Sequence, residues 1–104
     1  MANYINYKKN VIEMTDERWE HVVKQHPEVE GLKDKVAEVL REPDYVKRSL
    51  RDVAVLLYYK FFQDLYSGKH LLVVVKEEAQ RNFLLTCYIT DTIKQGETLW
   101  EKKT

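Results

Sequence analysis

"VAVLLYYKFFQDLYSGKHLLVVVKEEAQRNFLLTCYIT", residues 53–90, carries most of the information about architecture. It holds three apolar, β-branched and aromatic runs: "VAVLLYYKFF", "HLLVVVK" and "FLLTCYIT". Such residues fit a pleated, half-buried surface. "QDLYSGK", with Gly68 as turn residue, and the polar "EEAQRN" separate them. Connections this short favour antiparallel pairing, because a parallel pair needs a long crossover. "DYVKRSL", just upstream, reads as one more strand, so residues 44–90 predict a four-stranded antiparallel meander.

Upstream the period changes from two to 3.6. Thr15 reads as a helix N-cap, with Asp16 and Glu17 in the first turn and Met14 and Trp19 at the staple positions. The helix is expected over 16–25, with Trp19, Val22, Val23 and His26 on one face and His21 roughly opposite; Pro27 ends it. A second helix is expected over 32–41, with Leu32, Val36, Val39 and Leu40 facing inward and Pro43 closing it. Residues 1–8 read as a loosely held arm and "KNVIEM" as a short edge strand. "DTIKQGETLW" reads as a short helical turn, a stop at Gly96, and a strand or tail over 95–104. The expected fold class is α+β: one domain over 1–104, two N-terminal helices packed on one face of a four-stranded antiparallel sheet.

The totals bound the function. With 104 residues, 44% hydrophobic and 33% charged, the composition is that of an ordinary globular domain. Net charge is zero, so any nucleic-acid role needs a local basic patch. Residues 13–44 hold ten acidic and five basic side chains, whereas 45–60 hold Lys47, Arg48, Arg51 and Lys60 against Asp52. The first two strands are thus a basic band beside acidic helices. Cys87 is the single cysteine, which excludes an internal disulfide and a cysteine-clamped zinc site. "MANYINYKKN" has no apolar h-region, and no apolar run is long enough to span a bilayer. A cytoplasmic protein without a membrane partner is the expectation.

Alternation along the strands divides the sheet into two faces. Val55, Leu57, Tyr59 and Phe61 are expected inward with Leu71, Val73 and Val75, and with Phe83, Leu85, Cys87 and Ile89. The other face then carries Tyr58, Lys60, His70, Lys76, Thr86, Tyr88 and Thr90 over an apolar floor of Leu56, Leu72 and Val74. Hydroxyls and ammonium groups over such a floor suit a ligand or a protein partner; an ordinary solvated face gives the same pattern. Cations beside tyrosines resemble a single-stranded RNA footprint.

His21 and His26 are five apart, not the i, i+4 of a helical metal pair, so neither metal nor cofactor is expected. Acid–base chemistry suits His26 better, since imidazole exchanges protons near neutral pH. A helix-terminal imidazole bonded to a nearby carbonyl is the plainer alternative. Metal-independent RNA cleavage needs a base for the 2′-OH, an acid for the leaving 5′-oxygen, and a cation on the phosphorane. His26 fits the first or second role and Arg48 the third, with Ser49, Tyr88 and Thr90 placing substrate oxygens.

"ERWEHVVKQHPE", "PDYVKRS", "LLYYKFF", "GKHLLVVVK" and "YITDTIKQGETLW", in this order and spacing, resemble a family of small prokaryotic and phage-associated proteins of the barnase–EndoU–colicin–RelE (BECR) superfamily of RNases. The likeness runs over about residues 12–102. It implies the helices-on-sheet fold above and metal-independent RNA cleavage, often by the toxin of a toxin–antitoxin pair. RNA and a cognate antitoxin are the implied partners, and a homodimer is compatible. Carried over, His26 matches the helix-end histidine and His21 its partner. Arg48 and Ser49 match the polar end of the first strand, Tyr88 and Thr90 the strand-four hydroxyls, and Lys94 the following cation. With Tyr58, Lys60 and Lys76 as further substrate contacts, these form the expected site. The competing expectation is a non-catalytic binding module that uses the same face for a protein.

Overall fold

The computed structural model describes residues 2–103. Met1 of the expected arm and Thr104 of the expected tail lie outside them. In chain order the elements are β1 (Ala2–Ile5), β2 (Val11–Met14), α1 (Asp16–Gln25), a 3₁₀ turn (Pro27–Val29), α2 (Lys33–Arg41), β3 (Tyr45–Arg48), β4 (Val55–Phe62), β5 (Lys69–Glu77), β6 (Asn82–Thr90) and β7 (Glu97–Glu101). All seven strands join one sheet in the order β1-β2-β6-β5-β4-β3-β7.

The expected four-stranded antiparallel sheet is therefore corrected to a seven-stranded mixed one. Three strands flank β3–β6. Ala2–Ile5, read as an arm, pairs antiparallel with β2. β2 lies parallel to β6 through Ile12↔Asn82 and Glu13↔Phe83. β7 pairs antiparallel with β3. Nor are the helices N-terminal: both sit between β2 and β3. The rule that short connections give antiparallel pairs has no bearing on β2 and β6, which the two helices and three strands separate in sequence.

Local chemistry explains the elements. Thr15 Oγ1 accepts from the Arg18 N–H at 3.0 Å and starts α1. Asn6, nearly fully buried, holds the β1–β2 turn: its Oδ1 accepts from Lys8 and Asn10 N–H groups, and its Nδ2 donates to the Tyr58 hydroxyl at 3.0 Å. Val22 of α1 and Val36, Val39 and Leu40 of α2 bury against Leu56, Tyr58, Leu71, Val73, Val75, Leu84 and Cys87. At roughly 1.5–3 kcal/mol per large apolar side chain, this is the main stabilising core.

The second sheet face is apolar too. Leu57, Tyr59 and Leu72 are buried there, with Tyr45, Val55, Val74, Tyr88 and Ile93 packed on them. The cover is the irregular segment 91–96, which crosses this face between β6 and β7. The expected helical turn does not form there. Ile93 packs down, and the Lys94 N–H donates to the Tyr59 hydroxyl at 3.0 Å. Gly96 lies so close to β3 that a Cβ would collide with the Arg48 carbonyl oxygen. Among the described residues no helix is long and apolar enough to cross a membrane.

Two face assignments are reversed. In β4 it is Leu56, Tyr58 and Phe62 that meet the helices. In β6 a bulge leaves Val74 opposite Thr86 but Val75 opposite Leu84, so Leu84 and Cys87 both point into the core. The expected open floor of Leu56, Leu72 and Val74 is thereby lost: Leu56 faces the helices and Leu72 lies in the cluster under Ile93.

Candidate functional site

Three aromatic and cationic side chains meet where segment 91–96 leaves β6. β2 pairs with β6 only at Asn82 and Phe83. The far half of β6 instead has the end of α1 and the 3₁₀ turn against it. His26 is the C-cap of α1, its N–H bonded to the Val22 carbonyl at 2.7 Å and its φ, −133°, outside helical range. Pro27 disfavours the helical region for His26 and frees it to turn outward. The imidazole thus reaches past the β6 edge and stacks on Tyr88, with ring centroids 5.0 Å apart and planes 25° from parallel.

Glu28 Oε2 lies 3.7 Å from His26 Nδ1, so the carboxylate faces that nitrogen and Nε2 is the one left to a substrate. His26 retains 32% side-chain exposure, so the site is open to solvent. The Lys94 ammonium stands 6.0 Å from the Tyr88 ring centroid. Its backbone is fixed by Tyr59, whose hydroxyl pKa is raised by burial. Beneath, burial and then the nearby Glu28 charge push the Cys87 thiol up to about 12, so Cys87 is a core side chain and not a nucleophile. His26 and Lys94 thus each contact the Tyr88 ring, and an imidazole, a phenol and an ammonium are groups that can exchange a proton with a hydroxyl and hold a phosphate.

The other expected site residues divide sharply. Thr90 adjoins the cluster but serves segment 91–96: its Oγ1 accepts from the Thr92 N–H at 3.1 Å. Ser49 lines a cleft that Lys94 also lines, and its Oγ accepts from the Arg51 N–H. Arg48 does not reach His26. Tyr88 lies level with Leu72, Tyr59 and Tyr45 across the sheet, and Arg48 is three residues further along the third strand away. Strand spacing and rise put the two Cα atoms roughly 17 Å apart. Arg48 also opposes Leu56 on the helix side, and its guanidinium is taken by the Val53 carbonyl and the Glu97 carboxylate.

His21 is exposed beside Thr15, Glu17 and Arg18, away from the cluster. Tyr58, expected on the open face, is fully buried under the helices, and burial drives its hydroxyl up to about 12. Lys60, expected beside it, donates to the Glu42 carbonyl at the end of α2 and stands 3.9 Å from both Glu38 and Asp44. There it offsets the negative end of the helix dipole. Both departures follow from the reversed face of β4. Lys76 shares the face of Leu72 but pairs with Asp52 at the far end of β5.

His70, expected on the second face, lies on it. His70 packs edge-on against Phe61 at 5.4 Å and Tyr59 at 6.3 Å, and it is level with Thr90. Its alternation with Leu72 was the available signal. Among the described residues, no three His, Cys, Asp or Glu side chains cluster as metal ligands would. No protein-family model, no curated protein and no solved structure matches the chain.

Proposed function

We propose that the protein is a metal-independent endoribonuclease whose centre is His26, Tyr88 and Lys94. The observation that carries this reading is the His26 imidazole stacked on Tyr88 with Lys94 beside the same ring. His26 Nε2 takes the proton of a ribose 2′-OH. The 2′-oxygen attacks the adjacent phosphorus, and the bond to the 5′-oxygen breaks. Lys94 steadies the phosphorane charge and gives the leaving 5′-oxygen a proton, leaving a 2′,3′-cyclic phosphate and a 5′-hydroxyl. Tyr88 fixes the imidazole and offers its remaining ring surface to a base. Lys94 replaces Arg48 as the phosphate cation, because Arg48 is distant and already bonded.

The resemblance of "HPE" and "YITDTIK" to BECR RNases supports the same chemistry. It extends the proposal to the toxin of a toxin–antitoxin pair, restrained by a cognate antitoxin, with growth arrest on induction as the readout. The biochemical test is incubation with labelled RNA in EDTA. Wild type cleaves and leaves cyclic phosphate ends, and His26→Ala is slower by about 10²–10⁴, the usual worth of a positioned acid or base. Lys94→Arg keeps the charge but donates poorly, and falls between wild type and Lys94→Ala. Full activity in His26→Ala, or no cleavage of any RNA by wild type, overturns the reading.

A further inference from the structure

Beside the proposed centre lies a cleft of about 330 Å³ between the β3–β4 hairpin and segment 91–96, lined by Ser49, Leu50, Arg51, Leu57, Lys94 and Gln95. Its composition is mixed in a specific way. Leu57, largely buried, is the floor, and Leu50, 76% exposed, is a wall with apolar surface to spare. The hairpin carries two arginines with different commitments. Arg48 is bonded to Val53 and Glu97, whereas the exposed Arg51 has no guanidinium partner among the described residues. The Gln95 amide is exposed and likewise unpartnered among the described residues. Ser49 Oγ accepts from the Arg51 N–H, which leaves its own hydrogen to donate. Lys94 belongs to both places: it walls the cleft while its ammonium stands beside Tyr88.

We infer that this cleft is a nucleotide subsite, holding the nucleotide next to the phosphate bound at Lys94 and favouring adenine. An apolar slot takes the flat base. The Gln95 amide matches the adjacent donor and acceptor on an adenine edge, the pairing that glutamine makes with N6 and N7. Arg51 grips the following phosphate. The inference rests on reading this face as an RNA site, and its test is built to fail separately from the cleavage proposal.

The probes are fluorescein-labelled 2′-deoxy tetranucleotides, which lack the attacking hydroxyl: all-thymidine, and the set with one adenine at each position. Fluorescence anisotropy at fixed low salt gives Kd. Adenine at one position tightens binding about tenfold, within the discrimination of one bidentate base contact. Gln95→Ala removes that preference and leaves the all-thymidine Kd unchanged. Arg51→Ala weakens every probe by a similar factor and reduces the slope of log Kd against log salt by about one. A preference that depends on Gln95, in a protein that cleaves no RNA, sustains the subsite and sinks the nuclease. Cleavage without a position-specific preference, or a preference that survives Gln95→Ala, overturns the subsite and spares the nuclease. No binding of any probe overturns the subsite as well.

Discussion

Tyr58 and Tyr59 are neighbours in β4 with opposite duties, and removing one hydroxyl at a time separates stability from activity. Tyr58→Phe strips the acceptor from Asn6 Nδ2, in a residue only 3% exposed. A buried donor left without a partner costs about 1–3 kcal/mol. Tyr59→Phe strips the acceptor from the Lys94 N–H, in a segment that solvent reaches. Water replaces the lost partner there, so about 1 kcal/mol is expected. For a domain of this size each kcal/mol moves Tm by about 4–8 °C. Thermal melts should therefore show a drop of about 10 °C for Tyr58→Phe and about 5 °C for Tyr59→Phe. Activity should rank the other way. Tyr59→Phe releases the backbone of Lys94 and lowers kcat/KM about tenfold, an effect of roughly 1.4 kcal/mol on the transition state. Tyr58→Phe, assayed well below its Tm, retains wild-type kcat/KM. Reversed activities would refute the assignment of Tyr59 and Lys94 to the site and of Tyr58 to the core.

Other substitutions probe separate parts of the account. Thr86 Oγ1 is buried and has no hydrogen-bond partner among the described residues, so Thr86→Val should be neutral or stabilising by about 1 kcal/mol in urea melts; clear destabilisation would mean the hydroxyl is bonded. Gly96→Ala drives a Cβ into the Arg48 carbonyl oxygen, and at an overpacking cost of about 1–3 kcal/mol it should lower Tm and displace Lys94, with loss of activity. Alkaline stability follows from Tyr58 and Cys87, whose folded pKa values are both raised to about 12 from ordinary values near 10 and 9. The folded state holds these protons more tightly, so their stability contribution is complete below pH 9 and is lost between about pH 9 and 12. Cys87→Val should move the onset of that loss to about pH 10, read from urea midpoints against pH; an unchanged onset would contradict it.

The helices were readable because their signals are local. The Thr15 cap, the acidic first turn and Pro27 bracket α1 at Asp16–Gln25 without any tertiary information. The sheet was harder for three reasons. β1 and β7 are short and largely exposed, and only pairing with β2 and β3 makes them strands. β4 is apolar on both faces, because segment 91–96 buries the second one, so alternation could not say which set met the helices. The β6 bulge then shifted Leu84 by one position, which no period-two reading anticipates. His26, Tyr88 and Lys94 could be singled out as residue types, but the partnership of Lys94 with Tyr88 depends on where 91–96 crosses. The distance of Arg48 from His26 follows from strand order, which is a property of the folded sheet.

The central claim is that one substrate engages His26 and Lys94 together. Titration of labelled protein with a 2′-deoxy tetranucleotide, followed through the histidine ring and backbone amide NMR signals, tests it most directly. The His26 ring signals and the Lys94 amide should shift in parallel with one common Kd, while the His21 ring stays still. Shifts centred on His21, or a His26 ring that stays still while the oligonucleotide binds elsewhere, would contradict the account.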